Sequence, residues 1–176
     1  MLRLHKMLFV PARRSPHKPN PPVAPDRLRL EMLREAIAGD SRFEATGVEL
    51  EREAPSYTVD TLRQLTTEQT NVRLFLLMGA DQWASFDRWQ EPEHIVELTE
   101  LAVMSRAGDA ARVVAPDAGA ADLSSARVHE IAVPRIDISS TDLRRRAAER
   151  RSLRYLVPDP VRRIIEGEKL YSEKFP

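Results

Sequence analysis

The chain has 176 residues, 27 basic and 27 acidic side chains, and no cysteine. That length suits one domain with a substantial core and no repeat over residues 1–176, and the balanced charge gives no pull toward nucleic acid or an anionic membrane. Disulfides, thiolate metal sites and cysteine nucleophiles are excluded, no apolar run reaches about 18 residues, and no leader pattern opens the chain, so a cytoplasmic protein is expected.

Met7 to Val10 is a short apolar run stopped by Pro11, which predicts a buried strand entering a proline-rich loop over 11–25. Asp26 is placed to cap a helix through Ala38, with Leu28, Met32, Leu33, Ala36 and Ile37 near one face and Gly39 ending it. Phe43 to Leu50 reads as extended, and Asp60 as the cap of a helix carrying Leu62 and Leu65. Val72 to Met78 is the strongest strand candidate, continuous and apolar as for a strand covered on both faces. A short helical segment follows Gly79, Pro92 opens a helix with Ile95, Val96 and Leu98 inside, and Leu101 to Met104 is the next strand. Residues 107–125 are rich in Ala, Asp and Gly, a surface excursion. Val128 to Val133 is again strand-like, a helix runs from Asp142 to Arg150, and Pro160 starts a last helix that Gly167 closes. Strands alternating with helices predict an α/β fold with a mostly parallel sheet. In such sheets ligands lie beyond the carboxyl ends of the strands, and the segments at Pro11, Gly79 and Ser139 each follow a strand candidate.

The segment Ile138-Ser139-Ser140-Thr141-Asp142-Leu143-Arg144 carries the most chemistry. Small hydroxyls stand where a helix begins, and free amides with a partial positive charge hold an anion there. Arg144, one turn in, offers a planar fork suited to phosphate. The same residues also make an ordinary cap, with Ser139 and Asp142 as an S-x-x-D capping box and Arg144 to Arg146 on a solvated face. His5, His17, His94 and His129 show no H-x-G-H and no paired metal spacing, so no histidine and no metal ligand is nominated.

This segment, with Phe9-Val10-Pro11-Ala12, Pro16-His17-Lys18, Pro55 to Leu62, Gly79-Ala80-Asp81, Arg88-Trp89, Ser105-Arg106 and Tyr155-Leu156-Val157-Pro158, resembles the bacterial nicotinate-nucleotide adenylyltransferases. Each block is weak alone; the ordered set runs nearly the whole chain. The resemblance implies a Rossmann-like nucleotidylyltransferase fold and transfer of AMP from ATP, with Mg2+, to nicotinate mononucleotide, giving deamido-NAD and pyrophosphate. It places Gly79, Asp81, Arg106, Ser139, Thr141 and Arg144 at ATP, and Lys18, Thr58 and Trp89 at the nicotinate mononucleotide. Plainer readings stand beside these: a solvated loop for Lys18, local turn bonds for Ser56 and Thr58, a helix cap for Asp81, half-buried packing for Trp89. Trp83 is assigned to packing.

Family members open with a strand, a Gly-Gly-Thr-Phe-Asp-Pro-x-His-x-Gly-His loop and a helix. Met1 to Met7 resembles the end of that helix, so no catalytic residue is nominated, the natural protein is expected to start further upstream, and the competence of residues 1–176 by themselves is left open. Two other accounts fit the residues: a short paralogue that binds a nucleotide or a protein partner without catalysis, and a nucleic-acid-binding module using Arg144, Arg145, Arg146, Arg150, Arg151 and Arg154. The neutral chain and the missing aromatic platform weigh against the last.

Overall fold

The computed structural model describes residues 2–17, 20, 24–69, 71–106 and 122–172. In chain order the elements are β1 (Met7–Phe9), α1 (Asp26–Ile37), β2 (Phe43–Ala45), α2 (Thr58–Glu68), β3 (Phe75–Gly79), α3 (Ala80–Trp83), a 3-10 turn over Phe86–Arg88, α4 (Pro92–Leu98), β4 (Glu100–Arg106), β5 (Val128–Val133), α5 (Ser140–Ala148) and α6 (Asp159–Gly167). They fall into two compact units, one over Tyr57–Ile136 and one made of Leu2–Ser56 with the chain from Asp137 onward.

The first unit holds a parallel sheet in the order β3-β4-β5, with Gly79 opposite Met104 and Arg106 opposite Val133. Its strands all end at one edge, where the polypeptide leaves β3 into α3. Helices α2 and α4 supply Val59, Leu62, Ile95 and Val96 to a core shared with Met78, Trp83, Phe86, Leu101 and Val103. The doubly covered strand is β4, where Leu101, Ala102 and Val103 are all but fully buried, rather than the Val72–Met78 run. In β3, Met78 is buried but Leu77 is 36% exposed and Val72 precedes the strand altogether. The outer strand β5 alternates exposed and half-buried positions, as a strand with one solvated face must.

In the second unit β1 and β2 pair in parallel, Met7 opposite Phe43 and Phe9 opposite Ala45. Extended structure thus stops at Ala45, and the 47–50 stretch turns instead. Leu153, Val161 and Ile165 form a small core, against which Met32 of α1, Leu143 and Ala147 of α5, and Leu170 and Tyr171 pack.

Helix limits differ from expectation by a few residues, for a physical reason. Asp26 and Asp60 are not caps: Pro25 and Tyr57 hold the cap positions, and both acids lie inside the first turn. A carboxylate there still meets the positive end of the helix dipole, so the same residue type serves either place. Asp26 bonds to Arg29 at 2.6 Å. Helix α1 ends at Ile37 with Ala38 as its C-cap, one residue short of the expected end at Ala38, and α5 begins at Ser140, ahead of Asp142.

Candidate functional site

Gly79 closes β3 and serves as the N-cap of α3. A methyl group at its α-carbon would meet only the carboxylate of the exposed Asp81, which can turn aside. The Gly79 amide donates to Gln82 Oε1 at 3.2 Å, which leaves Asp81 exposed in the first turn just beyond the carboxyl edge of the sheet. Arg106 ends β4 at the same edge. Its side chain, like the whole of Lys18, lies outside the described residues.

Trp89 is the outermost of three rings. Trp83 and Phe86 are buried with centroids 5.4 Å apart, and Phe86 meets the half-buried Trp89 at 5.3 Å with planes tilted by 48°. The spacing of three residues between these aromatics was a readable helical signal. After Trp89 the backbone turns through Glu91 in the left-handed region, φ 51°, a conformation costly for a non-glycine residue unless held. Arg63 of α2 holds it, donating to both carboxylate oxygens at 2.6 and 3.3 Å. That bond, with His94 at 3.1 Å, keeps the Glu91 carboxyl below its ordinary range, Arg63 being the larger cause. Thr58 is the first residue of that same helix. The first unit therefore ties the Trp89 turn to the helix that Thr58 opens, through a pair 28 residues apart.

In the second unit Ser139 Oγ accepts from the Asp142 amide at 3.1 Å, a true N-cap of α5. The reciprocal half of a capping box is not made. Asp142 turns its carboxylate to Arg145 and Arg146, at 2.5 and 2.9 Å, and these bonds hold it below the usual carboxylate range. Arg144 donates to Thr141 Oγ1 at 3.3 Å. Ser139 and Thr141 are exposed and Arg144 is half-buried, and α5 buries no residue fully. The turn thus presents two hydroxyls, unused amides and a guanidinium, the donors a phosphate requires.

One residue of this unit departs from its local reading. Ser56 is buried, its Oγ accepts from the Arg13 amide at 3.0 Å, and its own amide donates to the Arg14 carbonyl at 2.9 Å. It stitches the entry to the proline-rich loop rather than closing a turn. Among the histidines, His94 bonds Glu91 and His129 bonds Glu100 at 2.7 Å. Among the described residues no group of three His, Asp or Glu gathers to hold a metal ion, and no helix is long and apolar enough to cross a membrane.

The cytidylyltransferase-like family model matches residues 1–146. A protein of Rhodopirellula baltica named probable nicotinate-nucleotide adenylyltransferase is 42% identical over 97% of this chain and 81% of its own length. One of the same name from Roseiflexus castenholzii is 43% identical over 97% and 85%. The chain belongs to the nicotinate-nucleotide adenylyltransferases, within the cytidylyltransferase-like family. The fold agrees: the structure of the Plasmodium falciparum nicotinic acid mononucleotide adenylyltransferase complexed with NaAD matches with a TM-score of 0.69 at 17% identity, covering 97% of this chain and 84% of that one.

Proposed function

We propose that residues 1–176 act as one nucleotidyltransferase domain that joins nicotinate mononucleotide to the AMP part of ATP in the cytoplasm, giving deamido-NAD and pyrophosphate. The observation that carries this reading is the capped, arginine-bearing start of α5 in a chain whose family makes that transfer. An oxygen of the mononucleotide phosphate bonds to the α-phosphorus of ATP, and the bond from that phosphorus to the bridging oxygen breaks. No protein nucleophile takes part, so rate comes from position and from neutralising charge. Ser139, Thr141 and the first amides of α5 bind phosphate oxygens, and Arg144 takes the outer phosphates that leave. Gly79 lets the backbone approach the nucleotide, Asp81 accepts from ribose hydroxyls or metal-bound water, and Arg106 adds charge at the same sheet edge. Trp89 stacks on the nicotinate ring, Thr58 binds its carboxylate, and Lys18 reaches the mononucleotide phosphate.

A divalent ion fits this donor set in one way. Among the described residues the turn after β3 offers the exposed carboxylate of Asp81, which suits Mg2+ arriving on ATP with most of its waters rather than an all-protein cage. When bound, the ion neutralises the phosphate oxygens of ATP.

The test is product formation. Purified protein given MgATP with nicotinate mononucleotide, or with its amide, is assayed for dinucleotide by mass and for pyrophosphate by release. Deamido-NAD and pyrophosphate in equal amounts, with the amide turned over at least tenfold more slowly, is the expected result. Binding of nucleotide without product would favour the inactive paralogue, and strongly salt-dependent RNA or DNA binding would favour the nucleic-acid module.

A further inference from the structure

Arg63 stands on α2 with its side chain 45% exposed, yet its bonds are not those of an ordinary surface arginine. A partner lies one turn back in Asp60, and Arg63 meets it only at 3.5 Å. Both ends of the guanidinium turn instead to Glu91, 28 residues on, with Nη2 donating to Oε2 at 2.6 Å and Nη1 to Oε1 at 3.3 Å. A two-bond fork of this kind fixes direction as well as distance. His94 Nδ1 meets the same Oε2 at 3.1 Å, so the carboxylate is held from α2 and from α4 together.

What the fork holds is a backbone conformation. Glu91 has φ 51° and ψ 57°, in the left-handed region that glycine enters freely and glutamate does not. It is the N-cap of α4, its carbonyl accepts from the Ile95 amide at 3.2 Å, and the next residue, Pro92, is buried. Two residues earlier the Trp89 amide donates to the Phe86 carbonyl at 3.0 Å and ends the 3-10 turn. Trp89 and Gln90 thus bridge two fixed points, and the left-handed turn at Glu91 sets the direction of the crossing. Trp89 packs against the core that Val59 and Leu62 of α2 enter, and Thr58, directly before Val59, opens that helix. A strained residue persists where its surroundings impose it, and such residues gather at ligand sites.

We propose that Arg63 is a positioning residue for nicotinate mononucleotide: by keeping Glu91 left-handed it fixes Trp89 relative to Thr58, and it touches no substrate itself. This rests on the reading that puts the nicotinate ring on Trp89 and its carboxylate at Thr58. Binding is therefore measured apart from turnover, by calorimetric titration with nicotinate mononucleotide, alone and with a non-hydrolysable ATP analogue, beside kinetics with each substrate.

Arg63→Gln should weaken nicotinate mononucleotide about fivefold in Kd and KM, the loss of one coupled pair, and change KM for ATP less than about twofold. Arg63→Lys keeps the charge without the fork, and about a twofold loss is expected. Glu91→Gly supplies the left-handed turn with no side chain to hold, so it should bind within about twofold of the unaltered protein, and adding Arg63→Gln to it should cost nothing further. A double variant that loses as much as Arg63→Gln alone would show that Arg63 acts without Glu91 and overturn the inference. Arg63→Gln with its Kd for the mononucleotide intact would also overturn it, whatever the melting temperature, since a merely structural pair moves stability alone. An unaltered protein that binds the mononucleotide but makes no dinucleotide would defeat the adenylyl-transfer reading, and the titrations of the variants would still judge Arg63. One that binds no mononucleotide under either condition would end both.

Discussion

The two helices whose opening hydroxyls are proposed to meet the substrates are built by opposite means. Helix α2, starting at Thr58, sinks Val59, Thr61 and Leu62 into the core. Helix α5, starting at Ser140, buries nothing completely and is dressed with Arg144, Arg145, Arg146 and Asp142. The difference suits what each is proposed to hold. A flat, weakly polar ring is recognised by rigid apolar surface, so its surroundings are fixed from beneath by packing. A polyphosphate is recognised by charge and unused amides that must stay wettable until the ligand arrives, so its helix is fixed by side-chain bonds along its own turn.

The strongest way to break this contrast is to remove the packing. Phe86 is fully buried between Trp83 and Trp89, and Phe86→Ala should cost about 3 to 5 kcal/mol, read as a large drop in melting temperature with a blue-to-red change in tryptophan emission. Unchanged stability would show that the ladder carries no load. At the level of ligands, Trp89→Ala should raise KM for nicotinate mononucleotide about tenfold and change KM for ATP less than about twofold. Arg144→Ala should do the reverse, lowering turnover or ATP affinity about tenfold or more. Equal losses for both substrates in either variant would reject the division of labour between the two helices.

How far the sequence foretold this contrast depends on the range of the interaction. Short-range chemistry was legible: Pro92 opens α4, Ser139 caps α5, and Gly79 ends β3 and caps α3. Asp26 and Asp60 misplaced two helix starts by one to three residues because a first-turn carboxylate and a capping carboxylate answer the same field. Asp142 looked like half of a capping box, yet two arginines three and four residues on compete for it and win. The apolar run at 72–78 could not be distinguished from 101–104 by hydrophobicity, since which strand becomes central is decided by partners. The bonds of Arg63 to Glu91 and of Arg13 to Ser56 span 28 and 43 residues, and no local pattern encodes them. Likewise the Nε-H of Arg29, buried with no hydrogen-bond partner among the described residues, is defined by what surrounds it and not by local sequence.

Two smaller perturbations sharpen the comparison. Ser139→Ala removes the single side-chain cap of α5 and should cost about 1 kcal/mol of stability, a few degrees in a melting curve. Because the helix has little core to lean on, the loss should also appear as faster amide exchange confined to its first turn. A matching loss is not expected at Thr58, since α2 has no side-chain cap to lose and is held by burial.

The first unit also has an electrostatic feature at the start of its central strand, and pH addresses it. Glu100, at the start of the central strand, has a largely buried side chain that bonds His129 at 2.7 Å and faces Arg127 at 3.5 Å and Arg73 at 3.7 Å. The His129 bond, with the nearby arginines, holds its carboxyl below the ordinary value of 4.5. A carboxyl depressed in the folded protein favours folding fully above its unfolded value, and that favour disappears as pH falls through the folded value. Stability of the sheet should therefore be flat with respect to this group near neutrality and fall below about pH 4.5. Glu100→Gln should lower stability at pH 7 and flatten the acid limb, bringing the two proteins together as pH falls through the folded value. Asp142 is depressed as well, but it sits on a solvated helix whose pairs are screened by salt, so 0.5 M NaCl should erase its share of the acid limb and spare most of the share belonging to Glu100. An acid limb that vanished wholly in salt would place both carboxylates on the same footing and remove the distinction between a unit held by burial and one held by charge.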